Sequence, residues 1–324
     1  MAARPDMTKV EDMNLNHEDN GTVVQTKELT KKYGDRLAAD RVSLTVRRGE
    51  VYGFLGPNGA GKTTTLRMIL GLIRPTSGSA SVLGKQAGTA EVNARIGALV
   101  EGPGFYPYLS GRDNLRVMAR YRGLSETVVD QALERVDLGS RGGDKFKTYS
   151  LGMKQRLGVA SALMGDPDLV VLDEPTNGLD PAGMVDMRRL IVDLARGGQT
   201  VLLSSHLLDE VQEICDRVGV INNGVLLKES TVSDLRGGAS LVVRGEPVDR
   251  AIAVAMGMAG DDGVHLDGDR LLVDLTPDRA PELVRELVAG GVQVHEVGSV
   301  ARTLEEVFFE MTRIETSNEL EATR

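Results

Sequence analysis

With 324 residues, the chain is long enough for two domains of about 150 residues, or one large domain with an appendage. Its 47 acidic and 38 basic residues give a formal charge of −9, which argues against bulk electrostatic binding to nucleic acid or anionic lipid. One cysteine, Cys215, excludes an internal disulfide framework and a cysteine-based zinc site. No uncharged apolar run approaches the roughly 18–20 residues of a membrane-spanning helix, so alone the chain is not expected to form a channel or transporter.

Residues 1–21 carry Asp6, Glu11, Asp12, Glu18 and Asp19 with almost no large apolar side chain. That composition predicts a disordered acidic tail, and the lack of an apolar stretch argues against a signal peptide. From Val23 short β-branched runs begin. "VSLTV" (Val42–Val46) and "VYGFLG" (Val51–Gly56) read as strands, the second leading through a glycine-rich loop into the helical stretch "TTTLRMILGLI". "LVVLD" (Leu169–Asp173) and "TVLLSSH" (Thr200–His206) read as buried strands, each followed by a helix. This alternation predicts an α/β domain with a mainly parallel sheet over residues 22–238. Between Phe105 and Leu163 the strand signal gives way to helical periodicity, which predicts a helical subdomain over about residues 103–165. Residues 239–324 change character again. The order strand (Ser240–Val243), helix (Pro247–Met258), strand (Val264–Leu266), strand (Leu271–Leu275), helix (Ala280–Ala289), strand (Val292–Val297) predicts a small α+β, ferredoxin-like domain. A last helix is expected near Thr303–Arg313.

"GPNGAGKTT" (Gly56–Thr64) follows a strand and precedes a helix, the setting a phosphate-binding loop requires. Gly56, Gly59 and Gly61 allow the backbone to turn its N–H groups, including those of Asn58, Ala60 and Thr64, toward phosphate oxygens, with Pro57 shaping the loop. Lys62 then meets the β- and γ-phosphates of ATP, and the Thr63 hydroxyl is a Mg²⁺ ligand. In "LVVLDEP" (Leu169–Pro175) an apolar strand ends in two acids. Asp173 is expected to hold Mg²⁺ and Glu174 to deprotonate the attacking water.

The segment "YSLGMKQRLGVASALMGDPDLVVLDEPTNGLDP" (Tyr149–Pro181) resembles the ABC ATPases. Their signature, usually LSGGQ, here reads Tyr149-Ser150-Leu151-Gly152-Met153, departing at Leu151 and Met153. Ser150 suits a helix N-cap. The resemblance implies that Ser150, Gly152 and Met153 meet the γ-phosphate of ATP held by a second copy of the chain. It also implies a D-loop at "NGLDP" (Asn177–Pro181), a switch histidine at His206, and adenine stacking by Tyr33 in "LTKKYGDRLA". For His206 and Tyr33 the residues alone leave an ordinary structural role open. Glu101, in "IGALVEGPGFYPYLSGRDNL", stands where the family places its Q-loop glutamine. Together with S-L-G-M-K-Q-R this resembles the bacitracin- and lantibiotic-resistance exporters. It implies that Glu101 contributes to Mg²⁺ and links nucleotide state to a membrane permease, a surface loop acid being the alternative.

Aromatic residues are 3% of the chain, with no tryptophan, yet Phe105, Tyr106, Tyr108, Tyr121, Phe146 and Tyr149 account for six of the eleven. The cluster beside Glu101 predicts a groove that can receive an amphipathic helix of another chain, or rings that pack the helical arm; the resemblance implies that a helix of the permease docks there, near Glu101–Tyr108. "TLEEVFFEMT" (Thr303–Thr312) resembles the end of daunorubicin-type drug exporter ATPases. Its Val307, Phe308 and Met311 share one helix face suited to docking, and a dimer-supporting or regulatory role is implied, a packed core helix being the alternative. The resulting expectation is an ATPase subunit of an exporter for antibiotic, drug-like or peptide substrates. It would use ATP and Mg²⁺, act as a homodimer, and sit at the cytoplasmic face of the membrane through a polytopic permease, with no nucleic-acid partner. An importer ATPase with a regulatory C-terminal domain and a soluble ABC-type ATPase unconnected with transport are the alternatives.

Overall fold

The computed structural model describes residues 21–102, 104–236, 240–300, 304, 305 and 308. The acidic tail expected over residues 1–21 therefore lies outside the described residues except for Gly21. A five-stranded sheet begins with β1 (Thr22–Tyr33), β2 (Arg36–Val42) and β3 (Thr45–Arg47). "VSLTV" is thus not one strand but the end of β2 and the start of β3. The break falls at Ser43 and Leu44, whose polar groups turn to β1: Ser43 Oγ accepts from Glu28 N at 2.8 Å, and Leu44 N donates to Thr26 Oγ1 at 2.9 Å.

The chain then enters a second sheet through β4 (Val51–Leu55) and leaves it by α1 (Lys62–Ile69). β5 (Ser77–Val82) and β6 (Lys85–Gln86) complete the first sheet, and α2 (Ala90–Asn93) leads to β7 (Ile96–Leu99). Three helices follow in the arm, α3 (Gly111–Tyr121), α4 (Thr127–Arg135) and α5 (Leu151–Leu163). Next come β8 (Leu169–Asp173), α6 (Pro181–Arg196), β9 (Thr200–Ser205), α7 (Leu208–Ile214), β10 (Arg217–Asn222), β11 (Val225–Thr231) and α8 (Val232–Arg236).

The six-stranded sheet runs β11-β10-β4-β9-β8-β7, parallel throughout except at edge strand β11. Its central strands are buried on both faces, so they read as continuous apolar runs, and the two-residue period sorts them between two cores. Val51, Leu55, Val170, Leu172, Val201 and Leu203 face α5, α6 and α7. Tyr52, Phe54, Leu169, Val171 and Leu202 face α1 and the first sheet. β7 was absent from the sequence-based strands, because "IGAL" is only four residues long and carries a glycine. Gly97 is what lets it form: a side chain there would overlap the Ala162 carbonyl of α5.

The last part contains β12 (Ser240–Glu246), α9 (Val248–Ala259), β13 (Val264–Asp267), β14 (Arg270–Val273), α10 (Ala280–Ala289) and β15 (Gln293–Val300). Its strands form an antiparallel sheet ordered β13-β14-β12-β15. Leu283, Leu287, Ala251 and Ala255 close a third core over it. Beyond β15, Leu304 is buried in the core on the helix side of the parallel sheet, its N–H donating to Gln212 Oε1 of α7 at 3.2 Å, and Phe308 packs against the same core. Val307 and Met311, the other members of the expected docking face, lie outside the described residues. Among the described residues no helix is long and apolar enough to cross a membrane.

Candidate functional site

The parallel strands deliver their polar residues at one edge, the C-terminal end where α/β sheets bind ligands. β4 runs into the loop Gly56–Gly61, which opens α1. Gly61 has φ +104°, and a side chain there would overlap the Ala38 carbonyl oxygen of β2, so the loop can close against the first sheet only as glycine. Lys62, at the start of α1, folds back over this loop and is 5% exposed. Its Nζ donates to Gly56 O at 2.6 Å and Pro57 O at 3.2 Å and lies 3.0 Å from Glu174 Oε1.

Asp173 ends β8 beside Ser204 of β9 in the parallel register. Thr63 Oγ1 donates to Asp173 Oδ2 at 2.9 Å, and Ser204 Oγ donates to Oδ1 at 2.5 Å. Glu174, the next residue, adopts φ +49°, a left-handed conformation costing roughly 1–2 kcal/mol outside glycine. Its N–H is held by the Ser204 carbonyl and hydroxyl, at 3.2 and 3.0 Å. This turn aims the carboxylate across the β4 loop, where Oε2 meets His206 Nδ1 at 2.6 Å. "TVLLSSH" accordingly ends as a strand at Ser205, with His206 already in the following loop. Lys62, Glu174 and His206 thus form one chain of contacts.

A cleft of about 350 Å³ opens over this chain, lined by Tyr33, Arg36, Ala38, Asn58, Gly59, Gly61, Lys62, Thr63, Thr64 and Glu174. The Tyr33 ring is 48% exposed, with Lys31 Nζ 5.1 Å from its centroid. It therefore stands free to stack on a planar group rather than packing a core.

Two sets of expected residues lie elsewhere. Glu101 is not gathered with Thr63 and Asp173 as the Mg²⁺ expectation required: it takes φ +64°, is 64% exposed at its side chain, and is paired with Arg67, one turn along α1 from Thr63. Ser150, Gly152 and Met153 are also outside the cleft lining. Ser150 caps α5, accepting from Met153 N at 3.2 Å, and Leu151 is half exposed. The D-loop places Asp180 as N-cap of α6, with Oδ1 accepting from Gly183 N.

The aromatic cluster divides. Phe146 and Tyr149 are buried and Phe105 packs edge-on against Phe146, centroids 5.3 Å apart. Tyr106, Tyr108 and Tyr121 remain exposed, the first two with rings 5.8 Å apart.

Three contributors were not singled out in the sequence. Ser204 ties Asp173 to Glu174, and its signal was a serine near the end of a strand with an apolar centre. Glu210, four residues beyond His206, is fully buried on α7 and accepts from Ser205 Oγ at 2.5 Å. Burial raises its carboxyl above the usual 4.5, against the lowering effect of the Ser205 and Thr176 hydroxyls. Arg36 faces Tyr33 across the β1–β2 hairpin.

The sequence profile described as "ABC transporter" matches residues 39–177. The "Bacitracin transport ATP-binding protein BcrA" of Bacillus licheniformis is 47% identical over 219 residues, covering 66% of this chain and 72% of that one. The protein of the same name in Enterococcus faecalis is 36% identical over 293 residues, covering 88% of this chain and 95% of its own. Among solved structures, "Structure of ATP binding subunit of ABC transporter" superposes with TM-score 0.60 at 30% identity, covering 66% of this chain and 92% of that chain.

Proposed function

The chain belongs to the ATP-binding proteins of ABC transporters, a family that hydrolyses ATP, and we propose that it powers efflux of a peptide-antibiotic-like substrate through a separate membrane permease. The observation that carries the ATPase reading is the contact chain Lys62–Glu174–His206 at the mouth of the glycine loop. The similarity to two bacitracin transport proteins supports export and the class of cargo.

In this reading the backbone N–H groups of residues 56–64 and Lys62 hold the phosphates of ATP, and Tyr33 stacks on the adenine. Lys62 exchanges Glu174 for phosphate, which leaves the Glu174 carboxylate to accept a proton from the attacking water. His206 orients that carboxylate through Oε2 and faces the developing charge. Thr63 Oγ1 and Asp173 Oδ2 form a hard oxygen pair that fits Mg²⁺, which is bound through one or two carboxylates together with substrate phosphates. No cluster of three or more His, Cys, Asp or Glu that could hold a metal occurs among the described residues, in keeping with an ion that arrives with the nucleotide. When bound it would neutralise charge on the β- and γ-phosphates.

Ser150, Gly152 and Met153 do not line the cleft. A second copy of the chain is proposed to bring its Ser150, Gly152 and Met153 to the γ-phosphate, at the open N-terminal end of α5. Glu101 and the exposed Tyr106 and Tyr108 are proposed as the docking face for a helix of the permease. That contact would hold the chain at the cytoplasmic face of the membrane. The C-terminal sheet is proposed to support the dimer or regulate it.

Co-expression with a candidate polytopic permease tests the whole reading. Resistance to a bacitracin-like peptide should rise and should vanish with Lys62→Ala. Resistance that persists in Lys62→Ala would sink the proposal that ATP use at this site drives export.

A further inference from the structure

The nucleotide cleft contains a second cation that the glycine-loop motif does not account for. Arg36 opens β2 and pairs with Tyr33 in the antiparallel register of the β1–β2 hairpin. It lines the same cleft as Asn58, Gly59 and Lys62. Its guanidinium reaches over the crest of the phosphate loop: a methyl group built on Gly59 would lie 3.9 Å from Arg36 Nη2.

The two cations differ in how they are engaged. Lys62 is nearly buried and already held by two carbonyls and Glu174. Arg36 is exposed and forms no ion pair or side-chain hydrogen bond among the described residues. A guanidinium with no partner, beside a loop whose N–H groups suit anions, matches phosphate oxygens in its planar fork of donors.

We propose that Arg36 binds the phosphate chain of the bound nucleotide as a second cation beside Lys62, so that one hairpin supplies both the adenine contact, from Tyr33, and a phosphate contact. The assignment rests on reading the cleft as an ATP site.

Calorimetric titration of the full chain with MgATP and MgADP, with the inhibition constant of adenosine measured alongside, tests it. Arg36→Ala should weaken MgATP and MgADP by about tenfold, the scale of one charged hydrogen bond, while adenosine is unaffected. KM for ATP should rise by the same factor with kcat at saturation unchanged, and Arg36→Lys should recover part of the affinity. The deficit should shrink as ionic strength rises, because the lost contact is between exposed charges. MgATP affinity within twofold of the wild type in Arg36→Ala would overturn the proposal. An equal loss for adenosine would also overturn it, assigning Arg36 to the base or to hairpin packing. A wild-type chain that binds neither nucleotide would instead overturn the ATP reading, and Arg36's role with it.

Discussion

The two ends of the parallel strands in the six-stranded sheet both carry concentrated charge, and they use it differently. At the N-terminal end, Arg217 of β10 sits between Glu50 and Glu229, 3.3 Å from each. Tyr52 OH and Thr45 N both donate to Glu229 Oε1 at 2.9 Å, Arg47 N donates to Glu50, and Arg217 also donates to the Thr45 carbonyl. Each of these three ions is matched by groups that stay with the fold, and burial still raises the Glu50 carboxyl despite Arg217. At the C-terminal end Lys62, Glu174 and His206 are matched to one another, Glu174 is held in a left-handed turn, and Arg36 is unmatched. One end ties strands together. The other holds charge that a ligand can take over.

This contrast predicts that substitutions at the two ends separate activity from stability. The largest effect is expected from Glu174→Gln, which keeps the shape but removes the proton acceptor. ATP turnover should fall by about 10²–10⁴-fold while the melting temperature changes little, as steady-state phosphate release and calorimetry would register. Turnover within tenfold of the wild type would remove Glu174 from the role of base. Next in size is Arg217→Met at the opposite end, which leaves the buried Glu50 and the partly buried Glu229 without their cation. Denaturant unfolding should show a loss of about 3 kcal/mol, with the ATP affinity of the folded fraction unchanged. A matching loss of affinity would mean that the two ends are not independent.

The smallest effect concerns Asp168, just before β8, where Arg95 Nε and Nη2 donate at 2.8 and 2.9 Å. The Arg95 hydrogen bonds hold its carboxyl below the usual 3.8, with burial opposing. A depressed acid stabilises the native state above the unfolded-state pKa and loses that contribution as pH falls through the native one. Because Arg95 is half exposed, the pair is screened, and Asp168→Asn should cost at most about 1 kcal/mol at neutral pH. That difference should shrink as the pH falls below 3.8, the usual value of this carboxyl, and vanish once the pH is below its depressed native value. A difference that persists in acid would assign the effect to packing instead of charge.

Much of the C-terminal end was legible in the sequence because its chemistry is local. Gly56–Thr64 and Leu169–Glu174 are contiguous strings whose order alone puts a loop on a helix and two acids at a strand end. What escaped depends on register between strands distant in sequence. Ser204 matters because β8 and β9 align it with Asp173. Arg36 matters because a two-residue hairpin sets it opposite Tyr33, and Glu210 because one helical turn returns it to Ser205. The N-terminal network was equally hidden, since Glu50, Arg217 and Glu229 come from three separate strand segments. Glu101 was assigned a cation-ligand role through its resemblance to the family's Q-loop position, and its pairing with Arg67 was hidden because the two residues lie in segments distant in sequence.

The central claim is that the cleft is half of a site completed by the signature residues of a second copy. Sedimentation velocity of the Glu174→Gln chain, with and without MgATP, tests it most directly. The expected result is a monomer without nucleotide, a dimer with MgATP, and loss of that dimer when Gly152→Asp is added, although ATP still binds. A Glu174→Gln chain that binds MgATP and stays monomeric, or a dimer indifferent to Gly152→Asp, would contradict it.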